Sequence, residues 1–153
     1  MANPEFIERA FGAERAPIYD EQFLPLRAIK DILHLVLQVH LSGLPEDARI
    51  LVVGAGTGAE VRFLAPLFPG WRFTLVDPAK PMLDIARRHA EDGGFADRCT
   101  FHEGYLETTP VDPHDAALSV LVSHFLTDAG ERQSFFEAIA ARLVPGGLLF
   151  NAD

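Results

Sequence analysis

The chain has 153 residues, 48 % of them hydrophobic, and a formal net charge of −9; that is about one domain, with enough apolar material for a real core. The acidic balance argues against a nucleic-acid partner, because proteins that grip a phosphate backbone present a basic face. A single cysteine, Cys99, excludes an internal disulfide and suits a reducing cytosol, so the expected location is cytoplasmic.

Residues 1–20 are polar and mixed, with Pro4 and Pro17, and read as an irregular arm or short helix. They lack the basic-then-apolar layout of a secretory signal. From Asp20 to Leu41 apolar residues crowd helical positions (Phe23, Leu26, Ile29, Ile32, Leu33, Val36, Leu37, Val39), which predicts one long, well-buried helix starting near Pro25. Its apolar stretch is broken by His34, Gln38 and His40 and is too short to span a bilayer, so no membrane partner is expected. Ser42-Gly43-Leu44-Pro45 ends it.

Beyond this point the pattern changes. Arg49–Val53 reads as a buried strand, 59–67 as a helix, and Trp71–Val76 as a second strand ending at Asp77. Lys80–Asp92 is an amphipathic helix stopped by Gly93-Gly94. Cys99–His102 and Ala116–Val122 are a third and a fourth strand, and 129–143 is helical. Val144-Pro145-Gly146-Gly147 reads as a turn before a fifth strand that opens with Leu148-Leu149-Phe150. Regular alternation of strand and helix predicts right-handed crossovers and a doubly wound parallel sheet covered on both faces.

The segment ILVVGAGTGAE (50–60) places glycines at 54, 56 and 58, where the first strand turns into the first helix. In such a sheet ligands bind beyond the carboxyl ends of the strands. Gly54 can adopt a strained turn angle, and Gly56 and Gly58 leave room for a ligand against the main chain. The free N–H groups of the next helix favour an anion there. An ordinary tight turn explains the glycines equally, and Thr57 with Glu60 fits a capping box. Asp77, 23 residues after Gly54 and at the end of the second strand, is placed to accept hydrogen bonds from ribose hydroxyls, or to cap the helix after Pro78. Together the two landmarks point to an adenosine-containing ligand. Gly54 to Ala59 also satisfies the dinucleotide pattern G-x-G-x-x-A, which leaves a nicotinamide-dependent oxidoreductase open.

Four stretches, VVGAGTGAE (52–60), LVDPAKPMLDIAR (75–87), FHEGYLE (101–107) and ARLVPGGLLF (141–150), resemble the class I S-adenosylmethionine-dependent methyltransferases in order and spacing. The resemblance runs from about residue 46 to residue 153 and implies a Rossmann-like sheet of order 3-2-1-4-5, here without that family's last two strands. It implies S-adenosyl-L-methionine as cofactor, S-adenosyl-L-homocysteine as product, and a small-molecule acceptor. Carried over by position, Gly54, Ala55, Gly56, Thr57 and Gly58 would line the methionine part. Asp77 would hold the ribose, Pro78 and Met82 would pack near the adenine, and Gly104 and Tyr105 would meet it after the third strand. Ser123 and His124 would lie beside the methyl group and the acceptor.

Two positions depart from the family: Val52 and Tyr105 stand where an acid is common, with Glu103 close to the latter. A sheet that stops in its fifth strand keeps an open edge, which invites pairing with a second copy or belongs to a longer chain. A non-catalytic cofactor binder is the alternative these features favour. Methyl transfer from a sulfonium needs alignment more than a protein nucleophile. Where a base is needed, His124 is the candidate, though a packing role suits it as well. The six histidines show no metal-ligand spacing, so no metal is expected. Residues 1–45 are expected to act as a helical arm or lid over a core of 46–153, with Arg15 and Tyr19 near the substrate; sealing of the first helix to the sheet is the plainer role.

Overall fold

The predicted alternation is realised as one sheet. In the computed structural model, which describes residues 4–153, the strands β1 (Arg49–Val53), β2 (Arg72–Asp77), β3 (Cys99–Glu103), β4 (His114–Val120) and β5 (Leu143–Ala152) lie in the order β3-β2-β1-β4-β5, all parallel. This is the order expected of a Rossmann-like sheet. The registers pair Val53 with both Val76 and Ser119, and Asp77 with Glu103. The carboxyl ends of the four strands around β1 therefore reach one common edge.

The helices are α1 (Pro4–Phe11), α2 (Tyr19–Gln22), α3 (Arg27–Leu41), α4 (Ala59–Leu67), α5 (Lys80–Asp92) and α6 (Ala129–Ala140). Alternate residues of β1 feed opposite layers, as the two-residue period of a strand requires. Ile50 and Val52 join Leu37, Leu64, Phe73 and Leu83 under α3, α4 and α5. Leu51 and Val53 join Phe135 and Ile139 under α6. Burial on both faces is why this strand reads as an unbroken apolar run.

Two polar devices close the far end of the first layer. Trp71 is fully buried, stacks on Phe68 at 3.8 Å, and donates its indole N–H to the Pro45 carbonyl at 2.9 Å. The Arg98 guanidinium donates to the carbonyls of Ala65, Phe68 and Trp71 at 2.9 to 3.1 Å. It thereby satisfies carbonyls that the end of α4 leaves without helical partners.

Three expectations are corrected. The single helix from Asp20 to Leu41 is instead α2, a 3-10 turn at Leu24–Leu26, and α3. Pro25 lacks an N–H and disfavours helical geometry at Leu24, so the helix cannot run through. Nor is it well buried. Only one side of α3 (His34, Leu37, Leu41) meets the sheet, and Ile29, Ile32, Leu35 and Val39 are 57–71 % exposed on the other. The helix is apolar nearly all round, and the sheet covers one face of it. Finally, Pro145-Gly146-Gly147 lies within β5 rather than before it. From the pair His114–Leu143 to the pair Ala116–Leu148, β4 advances two residues and β5 five, a bulge in which Gly146 takes a φ of +80°.

Replacing Arg98 by Met is expected to lower stability by about 2 kcal/mol, the usual worth of hydrogen bonds from a charged donor. Urea unfolding measures it; a loss below about 0.5 kcal/mol would show that water serves those carbonyls as well.

Candidate functional site

The site starts where β1 ends. Gly54, Gly56 and Gly58 have φ of +66°, +54° and +77°, a region that costs an L-residue about 1–2 kcal/mol. At Gly54 a Cβ would also fall 2.3 Å from a Val122 methyl. At Gly56 the nearest atom would be the Met82 Cε at 3.6 Å; the angle alone demands glycine there, and the main chain is left bare. The turn is pinned from the next strand. The Val76 carbonyl accepts from the N–H groups of Gly54 and Ala55, at 2.8 and 3.1 Å.

Asp77 binds this loop to its neighbour. Its Oδ2 accepts from Gly56 N–H and its Oδ1 from Ala79 N–H, both at 2.8 Å. The residue is 7 % exposed. Burial pushes its carboxyl above the ordinary carboxylate range, against the pull of those two N–H groups. Each oxygen keeps further acceptor capacity, and the residue lines the cleft.

The capping box predicted for Thr57 and Glu60 does not form. Gly58 occupies the cap position of α4 in a left-handed conformation, with no side-chain cap. Thr57 falls one residue too early and donates its hydroxyl to Asp20 Oδ1 of α2 at 2.7 Å. Glu60 Oε1 lies 3.9 Å from the buried His34 Nε2, which has no hydrogen-bond partner among the described residues.

Thr57 and Asp20 thus draw the amino-terminal segment onto the glycine loop. Ala16 is buried against Ala79, Met82 and Ile85. Tyr19 packs between Phe11 and Phe23, with ring centroids 6.0 and 4.9 Å away. Burial, then the carboxylates of Glu60, Asp20 and Asp77, raise the Tyr19 hydroxyl above its ordinary range.

A cavity of about 320 Å³ opens at the carboxyl edge of the sheet, within the size range of small-molecule sites. Of the residues singled out in the sequence, Gly54, Gly56, Asp77, Pro78, Met82, Gly104, Tyr105 and Tyr19 line it. Ala55, Thr57, Gly58, Ser123, His124 and Arg15 do not. Gly58 packs on Ala86, and Arg15 is exposed. Ser123 is wholly buried: its Oγ accepts from Arg132 at 3.0 Å and Asn151 at 3.3 Å, and donates to the Asp153 carboxylate. His124 has Nδ1 3.3 Å from Asp153 Oδ1 and its ring 4.0 Å from Phe125.

Phe11, of the arm expected to cover the core, also lines the cavity; the remaining wall was not read from the sequence: Ile7, Leu106, Glu107, Leu121, Val122, Phe125, Leu126, Glu131, Ser134 and Phe135 contribute to it. Leu121 has a φ of +56°, the one positive value outside glycine among the described residues. The sequence did hold a hint here, since apolar residues continue past the end of β4. Among the described residues no three His, Cys, Asp or Glu side chains converge as metal ligands.

Residues 50–147 match the family described as "Methyltransferase domain". A ubiquinone biosynthesis O-methyltransferase of Methylocella silvestris is 36 % identical over 108 residues, 70 % of this chain and 40 % of that protein. Two solved structures of S-adenosylmethionine-dependent methyltransferases, both complexes with S-adenosyl-L-homocysteine, share the fold. One, from Geobacter sulfurreducens, has a TM-score of 0.65 at 26 % identity, and the other, from Thiobacillus denitrificans, 0.65 at 25 %. Each alignment covers 77 % of this chain and 46 % of the other. The fold and the match over the sheet define a class I methyltransferase domain with a Rossmann-like sheet. The chain belongs to the methyltransferase-domain family, whose cofactor is S-adenosylmethionine, and it spans about two-fifths to half the length of these relatives.

Replacing Thr57 by Val removes the bond to Asp20. Amide hydrogens of residues 19–22 should then exchange several-fold faster, with at most about 1 kcal/mol lost globally. Unchanged exchange in that segment would show that the aromatic contacts alone hold it.

Proposed function

We propose that the cleft binds S-adenosylmethionine and that the chain transfers its methyl group to a small-molecule acceptor. The observation that carries this reading is the buried Asp77 carboxylate beside the bare main chain of Gly54 and Gly56. The residues fit the group. Asp77 has acceptor capacity left for two ribose hydroxyls, and the positive-φ glycines leave space for a narrow chain to lie on the loop. Met82 and Pro78 offer an apolar surface and Tyr105 a ring for the adenine. Val52 is buried in the core, so the acid common at that position in the family has no counterpart here. In this reading the amino-acid end is held by loop main-chain groups.

Held by Asp77 and the main chain of Gly54 and Gly56, the cofactor would supply a methyl group on positively charged sulfur, with the sulfonium becoming the neutral thioether as leaving group and the acceptor proton going to water. The protein's part is alignment. The domain reading assigns residues 46–153 to the cofactor core and residues 1–45 to an arm over it, the first three lying outside the described residues. Phe11 and Tyr19 on the cavity wall support the lid, whereas Arg15 stands exposed. His124 is off the wall, and its contact with Phe125 supports a role in placing that ring. The open edge of β5 and the exposed stripe of α3 support pairing with a second copy. That pairing and a cytoplasmic location complete the reading.

S-adenosylhomocysteine should raise the melting temperature and NAD should not; the reverse would make the protein an oxidoreductase candidate. Transfer of labelled methyl to cell-extract small molecules then separates an enzyme from a binder. Asp77→Asn should weaken S-adenosylhomocysteine binding by roughly tenfold to a hundredfold, the worth of hydrogen bonds to a charged acceptor. The ionised carboxylate is the form that accepts both hydroxyls. Its folded pKa lies above the ordinary value, so affinity should fall as pH drops through that raised value and stay level above it. In Asp77→Asn this pH dependence should vanish. Calorimetry at several pH values measures both effects.

A further inference from the structure

The cavity has two unlike halves. The half under β1 and β2 presents main chain and Asp77. The half under the end of β4 and the start of α6 is built from large apolar side chains: Phe11, Leu121, Val122, Phe125, Leu126 and Phe135. From these observations, and resting on the cofactor reading above, we infer that the second half takes an uncharged, flat, apolar acceptor, a ring system that carries its reacting hydroxyl or amine on an otherwise apolar body.

Three independent observations converge on this class. The first is the aromatic wall itself. Phe125 lies 6.0 Å from Phe11 and 5.4 Å from Phe6, in tilted or edge-to-face contact. These rings form a fixed apolar surface that an aromatic ligand extends at little entropic cost.

The second is charge. The charged side chains on the wall are Asp77, Glu107 and Glu131, all carboxylates. No Lys, Arg or His of the described residues lines it. A carboxylate- or phosphate-bearing acceptor would enter a negative cleft of reduced dielectric without a counter-ion. A hydroxyl or amine on an apolar ring meets no such penalty, and Ser134 offers it a hydrogen-bonding partner on the wall.

The third is Leu121. It takes a left-handed backbone angle that a leucine rarely adopts, is 44 % exposed, and still lies on the cavity wall. Its N–H is held by the Ala152 carbonyl at 2.7 Å. Asn or Gly would sit there with less strain. A strained apolar side chain kept in the open mouth of a cleft marks a surface made to be covered.

The test uses the full chain. Calorimetry with S-adenosylhomocysteine reports on the cofactor half. Titration with N-phenyl-1-naphthylamine, an uncharged fluorescent ring system, in the presence of S-adenosylhomocysteine reports on the other half. The anionic 8-anilinonaphthalene-1-sulfonate serves as the charged counterpart. The neutral probe should bind saturably at one site per chain, and the sulfonate at least about tenfold more weakly. Phe125→Ala should weaken the neutral probe about tenfold. Because that variant removes part of the wall's own packing, Leu121→Asn is the second. It suits the left-handed angle, so it should fold at least as well as the parent, yet bind the neutral probe several-fold more weakly. S-adenosylhomocysteine affinity should stay within about twofold in both. The inference is overturned if S-adenosylhomocysteine binds but the neutral probe responds identically in the parent and both variants, or if the sulfonate binds as well as the neutral probe. If S-adenosylhomocysteine itself does not bind, the cofactor reading falls and takes this inference with it.

Discussion

The carboxylate of Asp77 is the tie on which the site depends. It is buried, it sits at the end of β2, and its two oxygens take N–H groups from two different loops: Gly56 after β1 and Ala79 after β2. The Val76 carbonyl, one residue earlier, takes two more N–H groups from the first of those loops. Three hydrogen bonds thus fix the glycine turn to the neighbouring strand end, and a fourth fixes the loop after β2, in a sheet whose register is already set by Val53 opposite Val76. Within that frame the left-handed angles at 54, 56 and 58 are imposed rather than sampled. Side chains are absent at 54, 56 and 58 because the angles exclude them, and at 54 also because Val122 already fills the space. A bare, rigid strip of main chain beside a carboxylate is the consequence, and it lies where the strand order reverses around β1, the usual place for a ligand in such sheets.

The amino-terminal segment adds what the sheet cannot. α2 is one turn long and has no core of its own. It is held by Thr57 to Asp20, by Ala16 on α5, and by a run of rings from Phe6 through Phe11 and Tyr19 to Phe23. Each of these contacts is small. Segments held by few, dispersed contacts open at low free energy, which is the property a cover over a binding cleft requires. The charge around Tyr19 fits this division. Burial, and then three carboxylates, raise its hydroxyl, so this segment meets the cleft with a neutral phenol.

What was legible in the sequence was what the backbone dictates locally. Glycines on alternate positions after an apolar run, and an acid 23 residues on, state requirements of main-chain geometry; Gly54, Gly56 and Asp77 lie on the cavity, and Gly58 packs behind it. The parallel, doubly wound sheet followed from alternation and handedness, and its strand order from the resemblance to the methyltransferase family. Side-chain partners far along the chain were not legible. Thr57 has the right neighbours for a capping box, and its hydroxyl goes instead to a residue 37 positions earlier. Ser123 sits where a cofactor ligand belongs in the family, yet it is sealed among Arg132, Asn151 and Asp153, none of which is near it in sequence. The helix from Asp20 to Leu41 was misjudged for a different reason. Apolar periodicity says that a helix has something to bury but not how much of it the fold covers, and on α3 the sheet covers one side.

The uncovered side and the cleft are linked through β5. On one flank, Phe150 of this strand meets His40 of α3, with ring centroids 6.5 Å apart, so the exposed stripe of α3 runs toward the sheet's open edge. At its carboxyl end, Asn151 and Asp153 bond to Ser123, and Asp153 also reaches the Val122 N–H and His124. Those bonds position residues 122–125, and two of them, Val122 and Phe125, are cavity wall. The cofactor half is built on β1, β2 and their two loops, and Val122 sits against Gly54 of the first of those loops. Asp153, at the end of β5, therefore bears on both halves of the cleft through Val122, which lines the apolar wall and sits against Gly54. The apolar wall is tied to that strand end most closely, because the bonds of Asn151 and Asp153 hold the whole stretch 122–125 from which Val122 and Phe125 project.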